Sequence, residues 1–138
     1  MAKATMRLGE DFSRMISELG KRTDEIVPKV LEVGGDIVLE KVRDNLTGVL
    51  SRESSGELLR SLGKSPARVN RDGNTDIKIG FAENRTDGKS NALLANVLEY
   101  GKAGQPPKPF LKPAKKQTQT AAEAAMKSKL EEEIRAIQ

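Results

Sequence analysis

An α+β fold is what this sequence predicts, and three observations predict it. Apolar residues recur at three- and four-residue steps from Leu8 to Leu46, they alternate with polar ones over Asp76–Phe81, and an alanine-rich, helix-favouring run extends from Pro113 to Gln138. The expected arrangement is N-terminal helices, a small antiparallel β-sheet and a long C-terminal helix, in one domain spanning 1–138. Its parts are a helical N-terminal region over 6–47, a sheet-containing middle over 54–111 and the last helix over 113–137.

The N-terminal region carries two stripes. Leu8, Phe12, Met15, Ile16 and Leu19 form one; Ile26, Val30, Val33, Ile37, Val38 and Val42 form the other, with charged residues between them. One unbroken helix from Leu8 to Leu46 would run roughly 58 Å, whereas a domain of this length has a radius of gyration of about 14 Å. A break or kink within Gly20–Pro28 is therefore expected. Gly20, the cap candidates Thr23 and Asp24, and Pro28 all fall there.

In the middle region, SSGELLRSL predicts a capped helical turn. Ser54 or Ser55 precedes Glu57, and Leu58, Leu59 and Leu62 follow at helical spacing. The stretch ARVNRDGNTDIKIGF predicts a hairpin around residues 65–81. Asp72–Gly73 makes its reversal, and Ile77, Ile79 and Phe81 line one face. Ser90 or Asn91 caps a short helix, ALLANVLEY, which Gly101 closes.

The last helix is expected to start with Pro113 at its first position, where the missing N–H costs nothing. Ala114, Ala121, Ala125, Leu130, Ile134 and Ile137 form its apolar face. Its charges run against the helix dipole. Lys115 and Lys116 sit at the positive end and Glu131, Glu132 and Glu133 near the negative end. Either the ends fray or other groups answer these charges.

Composition removes whole classes of function. The chain has no cysteine and no histidine. Disulfides, thiolate nucleophiles, thiolate or imidazole metal sites and imidazole proton transfer are excluded. Carboxylate or lysine chemistry stays open in principle, with Glu99 or Asp76 as its candidates, but the expectation is a non-enzyme with no cofactor and no metal. There is no apolar run long enough for a membrane span and no secretion signal, which gives a soluble protein made in the cytoplasm. A net charge of +4 permits an anionic partner.

The densest information is in LEYGKAGQPPKPFLKPAKK. Four prolines fall within residues 106–113, beside one of three phenylalanines. Pro106 and Pro109 have the spacing of a polyproline-II ligand. Lys102, Lys108, Lys112, Lys115 and Lys116 could contact phosphates while Phe110 stacks on a base, although one Phe and one Tyr make a thin platform. Alternatively, the prolines stiffen a strap that presents Phe110 and Leu111 to a pocket, in the same subunit or a neighbour. The residues alone leave all three open.

The succession SSGELLRSL, a strand pair ending IKIGF, ANVLEYG and PPKPFLKPA resembles the head–tail connector family of long-tailed bacteriophages. Its members are called neck, tail-completion or tail-terminator proteins. The resemblance runs from Ser54 to Ala114. It rests on Ser55, Gly56 and Leu58, then Glu99, Tyr100 and Gly101, then Pro109, Phe110, Leu111, Lys112, Pro113 and Ala114. Lys112 stands where arginine is commoner, keeping the charge without the planar fork. The resemblance implies a virion structural protein at the head–tail junction, without catalytic activity. It implies a homo-oligomeric ring, usually of six subunits, between the tail tube protein and the portal-side connector, with a channel for DNA. Glu99, Tyr100, Gly101, Pro107, Pro109, Phe110, Leu111, Lys112 and Pro113 are the expected interaction or strap-anchoring residues, with Glu99 pairing to a basic side chain. The alternative is a basic nucleic-acid-binding accessory protein of phage DNA packaging.

Overall fold

The fold was obtained as a computed structural model, which describes residues 20, 22–50, 56–83 and 87–136. It is an α+β arrangement. In chain order it comprises α1 (Thr23–Val49), α2 (Glu57–Ser61), β1 (Leu62–Lys64), β2 (Arg68–Val69), β3 (Thr75–Asp76), β4 (Ile79–Phe81), α3 (Asn91–Tyr100) and α4 (Leu111–Arg135). Among the described residues no helix is long and apolar enough to cross a membrane.

The two long helices, α1 and α4, form the frame. Both bury residues at steps of four: Ile26, Val30, Gly34, Val42 and Leu46 on α1, and Ala114, Thr118, Ala122 and Ile134 on α4. Such rows are the ridges along which helices interdigitate. Ile26 and Val30 pack with Ile134, while Val42 and Leu46 share a cluster with Phe110 and Ala114. The pair is therefore antiparallel. Small residues let the axes approach, and a Cβ on Gly34 would lie 2.6 Å from Met126 Sδ.

Within Gly20–Pro28, where a break or kink is expected, Gly20 and Arg22 lie in turns and Pro28 does not interrupt the helix that follows. α1 begins at Thr23 with Arg22 as its N-cap, so neither Thr23 nor Asp24 caps it, and Pro28 lies inside the helix. Pro28 falls in the second turn, so its missing N–H removes a single early bond of a 27-residue helix. The stripe Leu8–Leu19 and the caps Ser54 and Ser55 lie outside the described residues, as do the loop residues 84–86 and Ile137. The described start of α2 is Gly56, in the left-handed region at φ 79°.

The middle forms one interrupted antiparallel ribbon. Leu62 pairs with Phe81 and Lys64 with Ile79; farther out, Arg68 pairs with Asp76 and Val69 with Thr75. Between these ladders three residues (65–67) oppose two (77–78), a bulge. Ser65 carries the pairing across it, donating its N–H to Lys78 O (2.7 Å) and accepting the Lys78 N–H on Oγ (2.9 Å). Pro66 lies in the bulge, where no ladder donor is needed. The ribbon thus starts at Leu62, three residues before the expected sheet, because the helical leucine run ends at Ser61. Its tip is an Asx turn, in which Asn70 Oδ1 accepts from the N–H groups of Asp72 (2.9 Å) and Asn74 (3.1 Å).

Among the described residues, two apolar clusters fill the interior. The larger joins Val42, Leu46, Leu58, Leu62, Ala95, Phe110 and Ala114, and the smaller joins Ile26, Val30 and Ile134. Phe81 meets Phe110 edge-on at 6.1 Å and 73°, bringing the ribbon onto the helical frame. On α4, Ala121 is exposed, and Thr118 and Ala122 are buried in its place. A step of four from Ala114 selects Thr118 and Ala122, whereas a heptad step selects Ala121. Thr118 is tolerated inside because its hydroxyl donates to Ala114 O at 2.7 Å.

Candidate functional site: a clasp at Glu99

The motif-bearing residues meet where α3 ends and α4 begins. Gly101 lets the chain leave α3, with φ 77° and its N–H on Val97 O at 2.7 Å. A Cβ there would lie 2.9 Å from both Gln105 O and Pro107 N, so only glycine lets the strap fold back this tightly. Lys102 and Gln105 exchange backbone bonds of 3.0 and 2.9 Å around a turn, and the Lys108 N–H donates to Leu98 O at 2.7 Å. The strap therefore lies against the helix it has just left.

Glu99 closes the clasp. Its Oε2 accepts from the backbone N–H groups of Phe110 (2.7 Å) and Leu111 (2.9 Å), and its Oε1 accepts from that of Lys112 (2.9 Å). These are donors that the start of α4 leaves without intrahelical partners, and Pro113, at the third helical position, has no N–H to satisfy. One carboxylate thus caps a helix eleven residues away. α4 begins at Leu111, two residues before the expected start, because Glu99 stabilises that extra half-turn. Asn45 of α1 adds a bond to Phe110 O (3.3 Å) and one to Gln117 Oε1 (3.1 Å).

The electrostatics follow. Burial acts to raise the Glu99 pKa, but the N–H groups of Phe110, Leu111 and Lys112, with the Lys112 charge, outweigh it and hold the carboxyl below its ordinary value. Its negative charge at the head of α4 also opposes the cluster of lysines there. Glu99 is buried at 4 % exposure. Its hydrogen bonds go to backbone donors, not to the basic side chain expected from the motif. At the other end of α4, Glu133 meets Lys29 of α1 (3.8 Å) and Lys129 (3.4 Å). Of the charges that oppose the dipole, Glu132 and Glu133 thus find partners within the chain.

The structure places the expected site residues in two groups. Glu99 and Phe110 are interior, with Phe110 fully buried. Tyr100 (67 % exposed), Pro107, Pro109 and Lys112 face solvent, while Gly101, Leu111 and Pro113 are half-buried. Phe110 is therefore unavailable for stacking on a base. Tyr100 also stands on the rim of an open apolar groove of about 540 Å3, which is lined by Gly35, Val38, Ile77, Leu111, Ala122 and Met126 among others.

Sequence reasoning missed a second carboxylate with the same task. Glu83, on the exit from β4, accepts the N–H groups of Asn91 (3.0 Å) and Ala92 (2.7 Å) and the Ser90 hydroxyl (3.2 Å). Ser90 in turn accepts the Leu93 N–H at 3.2 Å, so Ser90 is the N-cap and Asn91 is the first helical residue. Asn91 is fully buried and donates to Ala82 O at 2.6 Å. The only signal was a glutamate seven residues before a Ser-Asn cap, across a loop whose closure the sequence does not specify.

Comparison with protein families matches residues 10–101, two thirds of the chain, to the family described as "Bacteriophage HK97-gp10, putative tail-component". No curated protein and no solved structure matches. The matched span takes in the region before Ser54, beyond the resemblance seen in the motifs, and stops at Gly101, just where the strap begins. It includes Glu99 but not the amides that Glu99 caps. The chain belongs to this HK97 gp10-like family of phage tail components.

Proposed function

We infer that this tail component joins the tail to the head, as a subunit of a homo-oligomeric ring, usually of six, that leaves a channel for DNA. Its partners in this reading are the tail tube protein on one side and the portal-side connector on the other, at the head–tail junction of the virion. No catalysis and no cofactor enter the reading. The observation that carries it is the clasp. Glu99 and Phe110 fix the strap from beneath, so Tyr100, Pro107 and Pro109 are held outward on a rigid base. A surface ordered before contact loses little conformational freedom on docking, and exposed Tyr is a side chain of the kind that anchors interfaces.

The experiment is complementation of a phage lacking this gene, with particles counted by electron microscopy. Tyr100→Ser should leave thermal stability unchanged, because the side chain is exposed, and should yield separate heads and tails. Normal numbers of joined particles with Tyr100→Ser and Pro107→Ala together would overturn the reading.

A second reading, contact with DNA during packaging, is favoured by one observation. Lys112, Lys115 and Lys116 share a shallow exposed face with Pro109 and Pro113. With Phe110 buried, this face offers phosphates positive charge without an aromatic platform. Binding through it would be non-specific and would fall steeply with salt.

A further inference from the structure

The groove between α1, α4 and the ribbon is apolar along its floor and charged at one end. Leu31, Gly34 and Met126 lie toward one end, Val42 and Leu111 toward the other; Lys112 and Lys115 edge the latter, where the buried Glu99 offsets part of the Lys112 charge and leaves Lys115 on the open rim. It is open; along its α1 wall Gly34 lies beneath Met126, and Gly35 faces Ile77 and the Lys64 side chain. Glu123 stands farther along the same rim. Such a trough takes a row of apolar side chains from a helix face rather than a whole helix.

This chain carries a segment of matching chemistry. LGEDFSRMISEL, residues 8–19, lies outside the described residues, and its spacing predicts a helix with Leu8, Phe12, Met15, Ile16 and Leu19 on one side. Glu10, Asp11 and Glu18 outweigh Arg14, so it is acidic in a chain of net charge +4. Its Glu10–Asp11 pair suits Lys112 and Lys115.

Reach decides which copy supplies it. Asn45, which bonds Phe110 O and Gln117, marks the level of the lysines on α1. It lies about 33 Å along the helix from Thr23, whereas twelve helical residues folded straight back cover about 18 Å. Folded back within its own chain, the segment would set Glu10 near Glu32 and Asp36, which already face Lys64. A second copy has neither restriction. We propose that the groove receives residues 8–19 of a neighbouring copy of this chain, with the acidic pair against Lys112 and Lys115. The proposal rests on the self-assembly in the reading above and names its contact.

The absence of cysteine makes the test clean. Full-length chains carrying Phe12→Cys or Gln119→Cys are mixed and mildly oxidised; Gln119 is an exposed residue of the groove. A disulfide-linked heterodimer is expected. It is lost when Ala92→Cys, an exposed position on α3, replaces Gln119→Cys. It also falls when Asp11→Lys is added and recovers when the partner carries Lys115→Glu. No heterodimer, or equal yield with Ala92→Cys, overturns the proposal. So does a chain bearing both thiols that closes only on itself at high dilution. Complementation separates the two readings. Joined particles from a chain that fails to cross-link sink this contact alone, whereas a chain that cross-links yet never enters particles sinks the tail-joining reading.

Discussion

At Glu99, a single carboxylate does what a helix normally asks of a neighbouring Ser or Asp. Replacing it by Gln keeps the size but removes the charge and turns an amide N–H toward backbone donors that are already N–H groups. The buried donors left unsatisfied should cost about 1–3 kcal/mol, read as a lower urea midpoint. The acid limb carries the same signature. The folded-state pKa of Glu99 lies below its unfolded value. Its contribution is therefore complete above the ordinary glutamate pKa and is lost as the pH falls through the depressed folded value. Glu99→Gln should accordingly flatten the decline of stability across that acidic window. Phe110 presents the simpler case. It is fully buried against Phe81 and the α1–α4 frame, so Phe110→Ala should cost about 3–5 kcal/mol. Melting like the parent would place Phe110 outside the core.

At the scale of elements, the strap and the long helix pair make separate predictions. Gly101→Ala places a Cβ within 2.9 Å of two backbone atoms at a positive φ, and a backbone contact of that kind cannot be relieved by turning a side chain. The strap should lift, and amide exchange at Lys108 and Phe110, whose N–H groups are held by Leu98 O and Glu99, should speed up while that of central α1 stays slow. In the helix pair the obstruction at Gly34 is Met126, a flexible side chain. Gly34→Val should therefore destabilise, and Met126→Ala should recover part of the loss. A double-mutant cycle should give a coupling of about 0.5–3 kcal/mol. Additive effects would mean that the helices do not meet there.

At the scale of the molecule, the described residues turn the aromatic anchor Phe110 inward and the strap prolines Pro106, Pro107 and Pro109 outward. Phe110 looks in sequence like the tip of a hook; in the fold it is the pin holding the hook's base. This inversion alters what DNA binding can mean. A lysine face without stacking loses affinity with salt in proportion to the phosphates it neutralises. Lys115→Glu with Lys116→Glu should abolish such binding, measured by fluorescence anisotropy on a short duplex at low salt.

Local patterns made much of this legible. The helical spacing of Ile26, Val30 and Val42, the turn at Asp72–Gly73, the Ser90 cap and the Gly101 stop all follow from the preferences of a few adjacent residues, and so the α+β class follows too. The Glu-aromatic-Gly and Pro-Phe-Leu elements were visible as successive motifs, but not as partners of one another. Only the tertiary structure decided that Glu99 caps α4, that Glu83 caps α3, that Thr118 and Ala122 rather than Ala121 face α1, and that Leu62 opens a strand. Each of these depends on donors, acceptors or packing surfaces brought together across a loop or between helices. A sequence states which groups need partners; loop closure and close packing decide which partners they get.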